Sequence, residues 1–522
     1  MYTFNACHEN SLCQSLRSWR DYFGVSLQSA QIKLSLVLLT SLFVIPSNEA
    51  HALDGSSALQ LNALNGWKAF ELVTQGNDIS AFSDTGYGDA ASRGTYDGLG
   101  TFISGDTMRV FVNHEVTNDA AISRVDLDLA DFKQSIASTI DDGATAFPSS
   151  IVTGMGYAYN TIFDGSYHAV NDPNAAAVGT VDVGTYSRLN FSRFCSGTSY
   201  LPNSFGAGRG FVDEIFLTGE EVFSTFGLFY ALDSATQTLW EAPDLGGGSW
   251  ENAALVDTGN TTHTALYLSD DNSRSIPQLY VGEKDVDVNG DGEIDFLERN
   301  GLRGGTVYYF VPDPNFSTRG LPDGQVTGTW STSTTGALTE DKLEDVHTNP
   351  ANGSQIVFAD QTDGVYTMDI DLQFSGNSFD PNNSGATIDQ IVPDSGTDSL
   401  DNPDNLTWSA NDKIYVQQDG AGDGMWQMDS DGTNREQIAS GLSEPSGIVD
   451  ISEKVGYLPG SVMLTSLQGS GFSGAQLSVL VSPEAKLVPE PAGVVMMMWA
   501  GVYLLSRRCG KPMPTKKGRD KH

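Results

Sequence analysis

The sequence predicts an all-β fold made of radially repeated sheets, and the support comes from strand pattern, composition and an internal repeat. Short runs of β-branched and aromatic residues recur between Leu53 and Leu487, bounded by Gly, Asn, Asp or Pro. No long stretch of this region shows the apolar period of an amphipathic helix. Hydrophobic residues make up 39% of the chain and charged residues 18%, enough apolar material for a large core. The expected strands include residues 108–113, 214–217, 265–269, 278–282, 306–311, 355–359 and 413–417.

An internal repeat is the stronger sign of radial symmetry. Residues 227–233, 364–369 and 424–429 share one scheme, in which a glycine opens a strand that closes on Asp. The last two follow β-rich segments at 356–360 and 414–419, so a hairpin unit recurs roughly 60 residues later. A β-propeller explains this best, because closure protects strand edges and leaves variable loops at the rim of a central channel. A β-sandwich, or two packed β-domains, is the alternative.

The N-terminal segment has the layout of a secretory signal. Basic residues up to Lys33 precede an apolar run at 34–45 and a small-residue site at 50–52. The apolar run is short for a bilayer span, which disfavours a retained anchor. The sequence therefore predicts a signal peptide over residues 1–52 and one exported domain over residues 53–487.

The C-terminal segment carries a Pro-Glu-Pro triplet at 489–491, an apolar run at 492–505, and a tail that begins with Arg507 and Arg508. It resembles the PEP-CTERM sorting signal, which an exosortase handles in Gram-negative bacteria. The resemblance implies that residues 488–522 form a sorting signal with a short transmembrane helix and a cytoplasmic basic tail. It also implies an exosortase-type processing partner, and a location in the cell envelope or outside the cell of a Gram-negative bacterium. The membrane would be contacted only through this helix. An ordinary C-terminal anchor would not require the triplet.

The charge of the chain disfavours nucleic-acid binding and favours bound divalent cations, and its cysteine content disfavours a disulfide-stabilised fold. The chain has 66 acidic and 28 basic side chains and a formal net charge of −38, so nucleic acid would be repelled. Carboxylates clustered in Gly-, Asn- and Ser-rich loops repel one another unless divalent cations neutralise them, and calcium is the natural counterion. Of four cysteines, only Cys195 lies in the body, which excludes an internal disulfide framework.

Residues 287–298 fit the twelve-residue EF-hand calcium loop. Oxygen-bearing side chains occupy its ligand positions, and Gly292 stands at the sixth position, where the loop turns sharply. The preceding residues 278–281 are typical of a strand rather than an entering helix. We therefore expect an isolated structural calcium loop with a short helical turn near 296–300. Its expected ligands are Asp287, Asn289, Asp291, Glu293, Asp295 and Glu298.

Seven segments, in chain order, resemble the PhoX-like alkaline phosphatase family. They are residues 112–115, 193–197, 216–221, 250–253, 343–350, 402–406 and 444–447. The resemblance implies a secreted, six-bladed propeller in which carboxylates from successive blades point into the channel and hold several Ca²⁺ ions and, in iron-containing members, two iron ions. The candidate channel ligands that it implies are Glu115, Glu220, Glu221, Glu251, Glu344 and Asp404.

One departure from the family concerns iron. Iron-containing members have a cysteine directly before the paired glutamates, where this chain has Gly219. Calcium is therefore expected and iron is doubtful. Cys195 either approaches the site or is a small buried apolar residue.

Several other polar residues have two readings. His114 either orients Glu115 or binds metal, and Asp270 and Asp271 either close a turn or face the channel. His263 and His347 are expected either to lie at the surface or to be hydrogen-bonded within the protein, without binding metal.

The sequence thus favours a metal-dependent hydrolase of phosphoesters outside the cytoplasmic membrane, since a very acidic protein can bind an anionic ester only through bound metals. The alternative is a non-catalytic, calcium-stabilised surface or extracellular-matrix scaffold that binds an extracellular polymer.

Overall fold

The computed structural model describes residues 59–75, 95–117, 120–169, 191–222, 227–321, 324–393, 399–420, 424–469 and 474–488. The predicted signal peptide (1–52) and all but the first residue of the predicted sorting signal lie outside these residues, so both stay predictions. Among the described residues, no helix is both long enough and apolar enough to cross a membrane.

In the first two blades, consecutive strands pair antiparallel, and blade 2 gains one parallel strand at its outer edge. Two short N-terminal strands precede them, β1 (Leu61–Ala63) and β2 (Lys68–Thr74). Blade 1 consists of β3 (Tyr96–Ser104), β4 (Thr107–His114), β5 (Ile122–Asp128) and β6 (Val152–Tyr157), with helix α1 (Leu129–Asp141) between β5 and β6. Blade 2 consists of β7 (Thr161–Phe163), β8 (Phe194–Tyr200), β9 (Ile215–Glu220), β10 (Phe229–Asp233) and β11 (Thr238–Ala242), with β7 outermost and parallel to β11.

Blades 3 and 4 are joined at their outer edges. Blade 3 consists of β12 (Trp250–Val256), β13 (His263–Asp270), β15 (Gln278–Glu283) and β16 (Thr306–Pro312). Blade 4 consists of β19 (Leu343–Thr348), β20 (Gln355–Asp360), β21 (Gly364–Asp371) and β24 (Gly385–Pro393). Strand β17 (Gln325–Ser331) pairs with both β16 and β24, which makes one nine-stranded sheet of the two blades. Short strands β14 (Ser273–Ser275) and β18 (Glu340–Asp341) pair with each other, as do β22 (Phe374–Ser375) and β23 (Ser378–Phe379).

The two N-terminal strands form the outer edges of the last two blades. Blade 5 consists of β25 (Pro403–Ser409), β26 (Lys413–Gln418), β27 (Gly424–Asp429) and β28 (Glu436–Gly441), with β1 added at its outer edge. Blade 6 consists of β29 (Pro445–Asp450), β30 (Val462–Leu467) and β31 (Gln476–Val481), with β2 as its outermost strand. The short helices α2 (Phe296–Arg299) and α3 (Ser452–Val455) lie after β15 and β29. Because β2 pairs with β31, the start of the domain is fastened to its end.

The innermost strands form a closed ring, in which β3, β8, β12, β19, β25 and β29 contact one another in this order and β29 contacts β3 again. This arrangement is a six-bladed propeller, and it excludes the sandwich alternative because the sheets are arranged in a closed ring, whereas a sandwich consists of two stacked sheets. Buried aromatic rings fill the spaces between blades. Between blades 3 and 4, for example, Phe358 stacks on Tyr267 with ring centroids 5.7 Å apart. Each such ring contributes about 1.5–3 kcal/mol of hydrophobic stabilisation.

The sequence repeat corresponds to equivalent strands. The segments that open on glycine and close on Asp correspond to β10, β21 and β27. Counted outward from the channel, these are the third strands of blades 2, 4 and 5. The segments that precede two of them are the second strands, β20 and β26. All seven strands predicted from residue pattern are present, and the all-β, radial prediction is confirmed.

Helix α1 contradicts the expectation that the body contains no amphipathic helix. Its N-terminus is capped by Asp128, whose carboxylate accepts a hydrogen bond from the Asp131 amide at 2.9 Å. Only Phe132 and Ile136 are large apolar residues on its buried face, which Ser135 and Thr139 complete. This stripe is too sparse to stand out as an apolar period in the sequence.

Candidate metal centre

Each of the six innermost strands has a β-bulge at the same point, near its start. The pairing register shifts within residues 96–99, 194–197, 250–252, 343–346, 403–406 and 445–448. A bulge bends its strand and changes the direction of a side chain. The residues directly after the first position of each bulge are Asp97, Cys195, Glu251, Glu344, Asp404 and Ser446. Five of these six equivalent positions therefore carry a side chain that can bind a metal.

The second strand of every blade supplies another residue. Its last residue pairs with the first position of the bulge, as His114 does with Tyr96 and Glu220 with Phe194. In each blade, the residue that directly follows the second strand lies at the same end of the channel as the bulge. The six residues at this position are Glu115, Glu221, Asp271, Gln361, Asp419 and Gln468.

Three more residues come from the position directly before the bulge in alternate blades. They are Arg193, Lys342 and Glu444, in blades 2, 4 and 6. Arg193 and Lys342 have φ values of 53° and 81°, left-handed backbone that turns the chain into its strand at this point. With eleven residues from the two preceding sets, they line a cavity of about 70 Å³, which we call the channel pocket.

The channel pocket is strongly acidic, and its residues are buried or half-buried. Nine of its fourteen lining residues carry a carboxyl group, and two carry a basic group. Asp97, Glu221 and Glu344 are only 2–3% exposed. Burial, together with neighbouring carboxylates, raises the pKa values of Asp97, Glu251 and Glu344 well above their usual range. Burial also raises the pKa of Glu221 to about 8, although a hydrogen bond from Cys195 opposes the shift. The pocket can hold these carboxylates in ionised form only if cations neutralise them.

Two basic side chains lie at the more exposed side of the pocket. Arg193 contacts Glu115, with Nη2 to Oε1 at 2.7 Å, and also Glu221. Lys342 contacts Glu344, with Nζ to Oε1 at 3.2 Å. The side chains of Arg193 and Lys342 are 25% and 35% exposed, against 2% for Glu221 and 5% for Glu344. Both cationic groups are therefore more accessible to solvent than the carboxylates that they contact, and we call this more exposed side the mouth of the pocket.

The ligand atoms fall into three adjoining groups, each with members within 4.8 Å of one another. The first consists of Asp97, Glu115 and Cys195, the second of Cys195, Glu221 and Glu251, and the third of Glu251, Glu344 and Asp404. The groups share Cys195 and Glu251, so they run side by side across the pocket. The Cys195 thiol donates to Glu221 Oε2 at 3.0 Å. Asp97 Oδ1 and Glu221 Oε1 are buried and accept no hydrogen bond within the described part of the chain. Both oxygens are therefore able to act as metal ligands.

The structure brings together five of the six candidate channel ligands: Glu115, Glu221, Glu251, Glu344 and Asp404. Glu220 does not join them. Its carboxylate faces into blade 2 and accepts hydrogen bonds from the Ser192 amide at 3.0 Å and the Tyr230 hydroxyl at 3.2 Å. Successive side chains of an extended strand point to opposite faces, so paired glutamates at 220 and 221 cannot both face the channel.

Sequence reasoning missed Asp97, Asp419 and Glu444, and it left Cys195 and Asp271 open. The thiol of Cys195 lies in the pocket rather than among apolar side chains alone. Asp419 closes one of the segments of the sequence repeat, so the repeat drew attention to this residue without indicating that it faces the channel. Asp97 had no such signal, since its direction depends on the bulge.

The remaining candidates lie outside the pocket. His114 is fully buried against the Tyr96 ring, contacts the Ser123 hydroxyl, and is not among the residues that line the pocket. Asp270 accepts a hydrogen bond from the Ser249 amide at 2.9 Å, as a turn residue does. At Gly219 an added Cβ would lie 2.4 Å from the Cβ of Trp250, so this position has no room for a thiol.

The predicted calcium loop lies between β15 and β16, with α2 as the expected helical turn. Gly292 has φ +88°, the left-handed conformation that its position requires. Asp287 accepts hydrogen bonds from the amides of Gly290 and Gly292 at 2.6 and 2.9 Å, and Asp295 caps α2. Glu298, at the twelfth position, is 1% exposed and accepts hydrogen bonds from loop amides, among them Val288 at 2.8 Å. The backbone thus has the shape of such a loop, and cation binding by it stays a prediction.

No protein-family profile matches this chain, and no curated protein matches it. Among solved structures, it is similar to Pseudomonas fluorescens PhoX in complex with vanadate, a transition state analogue. The TM-score is 0.55 at 12% identity, covering 82% of this chain and 97% of that one. Weaker likenesses include the α-L-arabinofuranosidase PaAbf62A of Podospora anserina (TM-score 0.30, 8% identity, 81% and 97% coverage) and an aldose sugar dehydrogenase of Streptomyces coelicolor (0.27, 10%, 55% and 98%). At these identities only the fold is comparable, and the first comparison shows that the chain has the PhoX-like β-propeller fold.

Proposed function

We propose that the protein is a metal-dependent phosphoester hydrolase whose active site is the channel pocket. The observation that carries the proposal is the arrangement of charge in this pocket. Nine carboxyl groups and one thiol converge in it, beside two basic side chains that are more exposed than the carboxylates they contact. Such a donor set suits several cations, which in turn would suit an anionic ester that enters past the basic mouth.

The three ligand groups differ in chemistry, which assigns different metals to them. Glu251, Glu344 and Asp404 offer oxygen atoms alone and fit Ca²⁺. The two groups that include Cys195 add a thiolate, a softer ligand that fits a transition metal such as iron. This supports iron more strongly than the sequence did, because the thiol comes from β8 instead of position 219. Bound metals would polarise the ester and activate an oxygen nucleophile.

Arg193 and Lys342 have a distinct role in this proposal. A chain with a net charge of −38 repels a phosphate group except where local positive charge attracts it. Arg193 presents a planar guanidinium that can bind two phosphoryl oxygens at once, and Lys342, two blades farther round the ring, adds a flexible ammonium. We assign both to holding the phosphoryl group at the mouth.

The predicted calcium loop, signal peptide and sorting signal are also part of this proposal. The loop at 287–298 would bind Ca²⁺ in a structural role, on the blade 3 connection between β15 and β16. The predicted signal peptide and PEP-CTERM segment would export the protein to the envelope or exterior of a Gram-negative bacterium, with an exosortase-type enzyme as its processing partner. A phosphoester would then be the partner met outside the cytoplasm.

The test measures hydrolysis of p-nitrophenyl phosphate and bis(p-nitrophenyl) phosphate by the purified protein, with EDTA, with Ca²⁺, and with Ca²⁺ plus iron. We expect turnover only with metals, and a loss of at least about 100-fold in Glu344→Gln, which removes one anionic ligand. Glu220→Gln is the matched control, because it neutralises a buried glutamate that lies outside the pocket. It should retain activity.

Absence of hydrolysis under every metal condition would overturn the proposal. If Ca²⁺ still raised the melting temperature of such an inactive protein, the calcium-stabilised scaffold that binds an extracellular polymer would take its place. Equal loss of activity in the Glu220→Gln and Glu344→Gln variants would also count against the pocket as the active site.

A further inference from the structure

A second group of buried carboxylates lies between blades 3 and 4, outside the channel pocket. Glu340 lies in β18, Asp360 ends β20, and Asp363 lies in the turn that follows. One oxygen of each lies within 4.8 Å of the others. None of the three lines the channel pocket, and none belongs to the calcium loop.

Unpartnered oxygen atoms converge on this group. Within the described residues, Glu340 is 1% exposed and neither of its carboxylate oxygens has a hydrogen-bond partner. The Leu321 amide lies near enough to lower the pKa of Glu340 slightly, but it is not placed for a well-formed hydrogen bond. Asp360 is fully buried, and its Oδ1 accepts a hydrogen bond from the Thr362 amide at 2.9 Å, whereas its Oδ2 has no partner there.

Two neutral hydroxyl groups complete the cluster. Tyr267 is fully buried, and its hydroxyl has no hydrogen-bond partner in the described part of the chain. The Tyr267 ring stacks on Phe358, which lies on the same face of β20 as Asp360. Burial raises the pKa of the Tyr267 hydroxyl, and the charges of Glu340 and Asp360 raise it further. Ser275 pairs with Glu340 across β14 and β18, which puts the two side chains on one face. Its buried hydroxyl oxygen also has no partner among these residues.

Protein interiors rarely leave so many polar atoms unsatisfied within one cluster, because each loses its hydrogen bonds to water on burial without gaining others. Five such oxygens belong to Glu340, Asp360, Tyr267 and Ser275, and Asp363 adds another carboxylate. All are hard oxygen donors with no nitrogen or sulfur among them, and a calcium ion needs six to eight such donors.

We propose that Glu340, Asp360 and Asp363, with the hydroxyl groups of Tyr267 and Ser275, form a separate binding site for a divalent cation of the calcium type. The cation ties β18 to the turn between β20 and β21 and so fastens blade 4 to blade 3 near the pocket. This site does not depend on the proposed hydrolase activity.

The experiment counts bound calcium and measures melting temperature. The purified full-length protein is stripped with a chelator, titrated with calcium chloride, and analysed for metal after gel filtration. In Glu340→Gln we expect one calcium equivalent fewer than in wild type and a smaller calcium-dependent rise in melting temperature. In chelator, the variant should melt at the same temperature as wild type or higher, because the amide removes a buried acid.

Two further variants make the result decisive. Glu484→Gln neutralises an exposed acid far along the chain and should change neither quantity. Asp363→Asn alters a half-buried turn residue, and it should weaken calcium binding at one site at least ten-fold even if Glu340→Gln folds poorly. Unchanged calcium content in both cluster variants would overturn the proposal and identify the cluster as protonated acids. Loss of hydrolysis in Glu344→Gln, by contrast, bears only on the channel pocket.

Discussion

The channel pocket and the calcium loop place acidic side chains by opposite routes. The loop collects its ligands from twelve consecutive residues, and three of the six, Asn289, Asp291 and Glu293, are exposed. The pocket collects its residues from six blades that span positions 97 to 468; six of its fourteen residues are buried and none is exposed. A local turn can therefore gather charge that water still screens, whereas the pocket requires the whole propeller and excludes most water.

This difference has an energetic consequence. An exposed carboxylate loses little solvation when the chain folds, so the loop tolerates an absent cation. A buried carboxylate loses several kcal/mol of solvation unless a proton or a cation compensates it. The raised pKa values of Glu251 and Glu344 express this cost. Metals should thus matter more to the pocket than to the loop.

The largest effect is expected at Cys195. Cys195→Ser should lower bound iron at least about five-fold and hydrolysis about 100-fold, because a serine hydroxyl stays protonated and is a poor metal ligand. Calcium content should stay as in wild type, since the all-oxygen group lacks this residue. Elemental analysis and p-nitrophenyl phosphate turnover give the two readouts. Full iron content and turnover in the variant would show that the thiol serves only to fill space.

The contrast between the two regions also explains what the sequence could predict. The strand before the predicted calcium loop and the helical turn at its end are present as expected, because their determinants lie within a few residues, and calcium binding by the loop stays a prediction. Strands such as β4 and β20 were predictable for the same reason. Five pocket acids were found through family resemblance.

The residues that escaped prediction depend on long-range geometry. Asp97 points into the channel only because β3 bulges beside β4, and Glu220 points away because its neighbour Glu221 points in. Neither direction is encoded in local composition. Helix α1 was missed because its buried face includes Ser135 and Thr139.

A smaller effect is expected in the calcium loop. Asp287→Asn should remove one calcium equivalent and lower the melting temperature in calcium by about 3 °C, since a site saturated about 100-fold above its Kd adds about 2.7 kcal/mol. Hydrolysis should stay within about two-fold of wild type, because the loop lies on the outer strands of blade 3. Asp285→Asn, an exposed change two residues before the loop, is the control. A loss of activity as large as that of Cys195→Ser would remove the distinction between the two regions.

The smallest effect is expected at His347, a residue whose pKa is shifted by burial and which does not belong to the proposed metal ligands. His347 lies farther along β19, in a small second cavity with Asp345 and Lys454, outside the metal-ligand groups. Burial lowers its pKa from the usual 6.5 to about 4, although a hydrogen bond to the Thr348 carbonyl and the charge of Asp450 oppose the shift. The folded protein therefore keeps this imidazole neutral where the unfolded chain protonates it.

The sign of the pH dependence follows from this difference. Between pH 6.5 and about 4 the unfolded state binds one proton more than the folded state, so the contribution of His347 to stability is present above pH 6.5 and is lost as the pH falls. His347→Gln should reduce the loss of unfolding free energy between pH 7 and 4.5 by about 1–2 kcal/mol, because each pKa unit is worth about 1.4 kcal/mol and the site is not fully enclosed. Denaturant titrations at both pH values measure the change, with His168→Gln as the control, since the His168 side chain is 73% exposed. Parallel losses in wild type and His347→Gln would mean that water reaches this part of the channel. Burial would then no longer explain the raised pKa values of the acidic residues in the channel pocket.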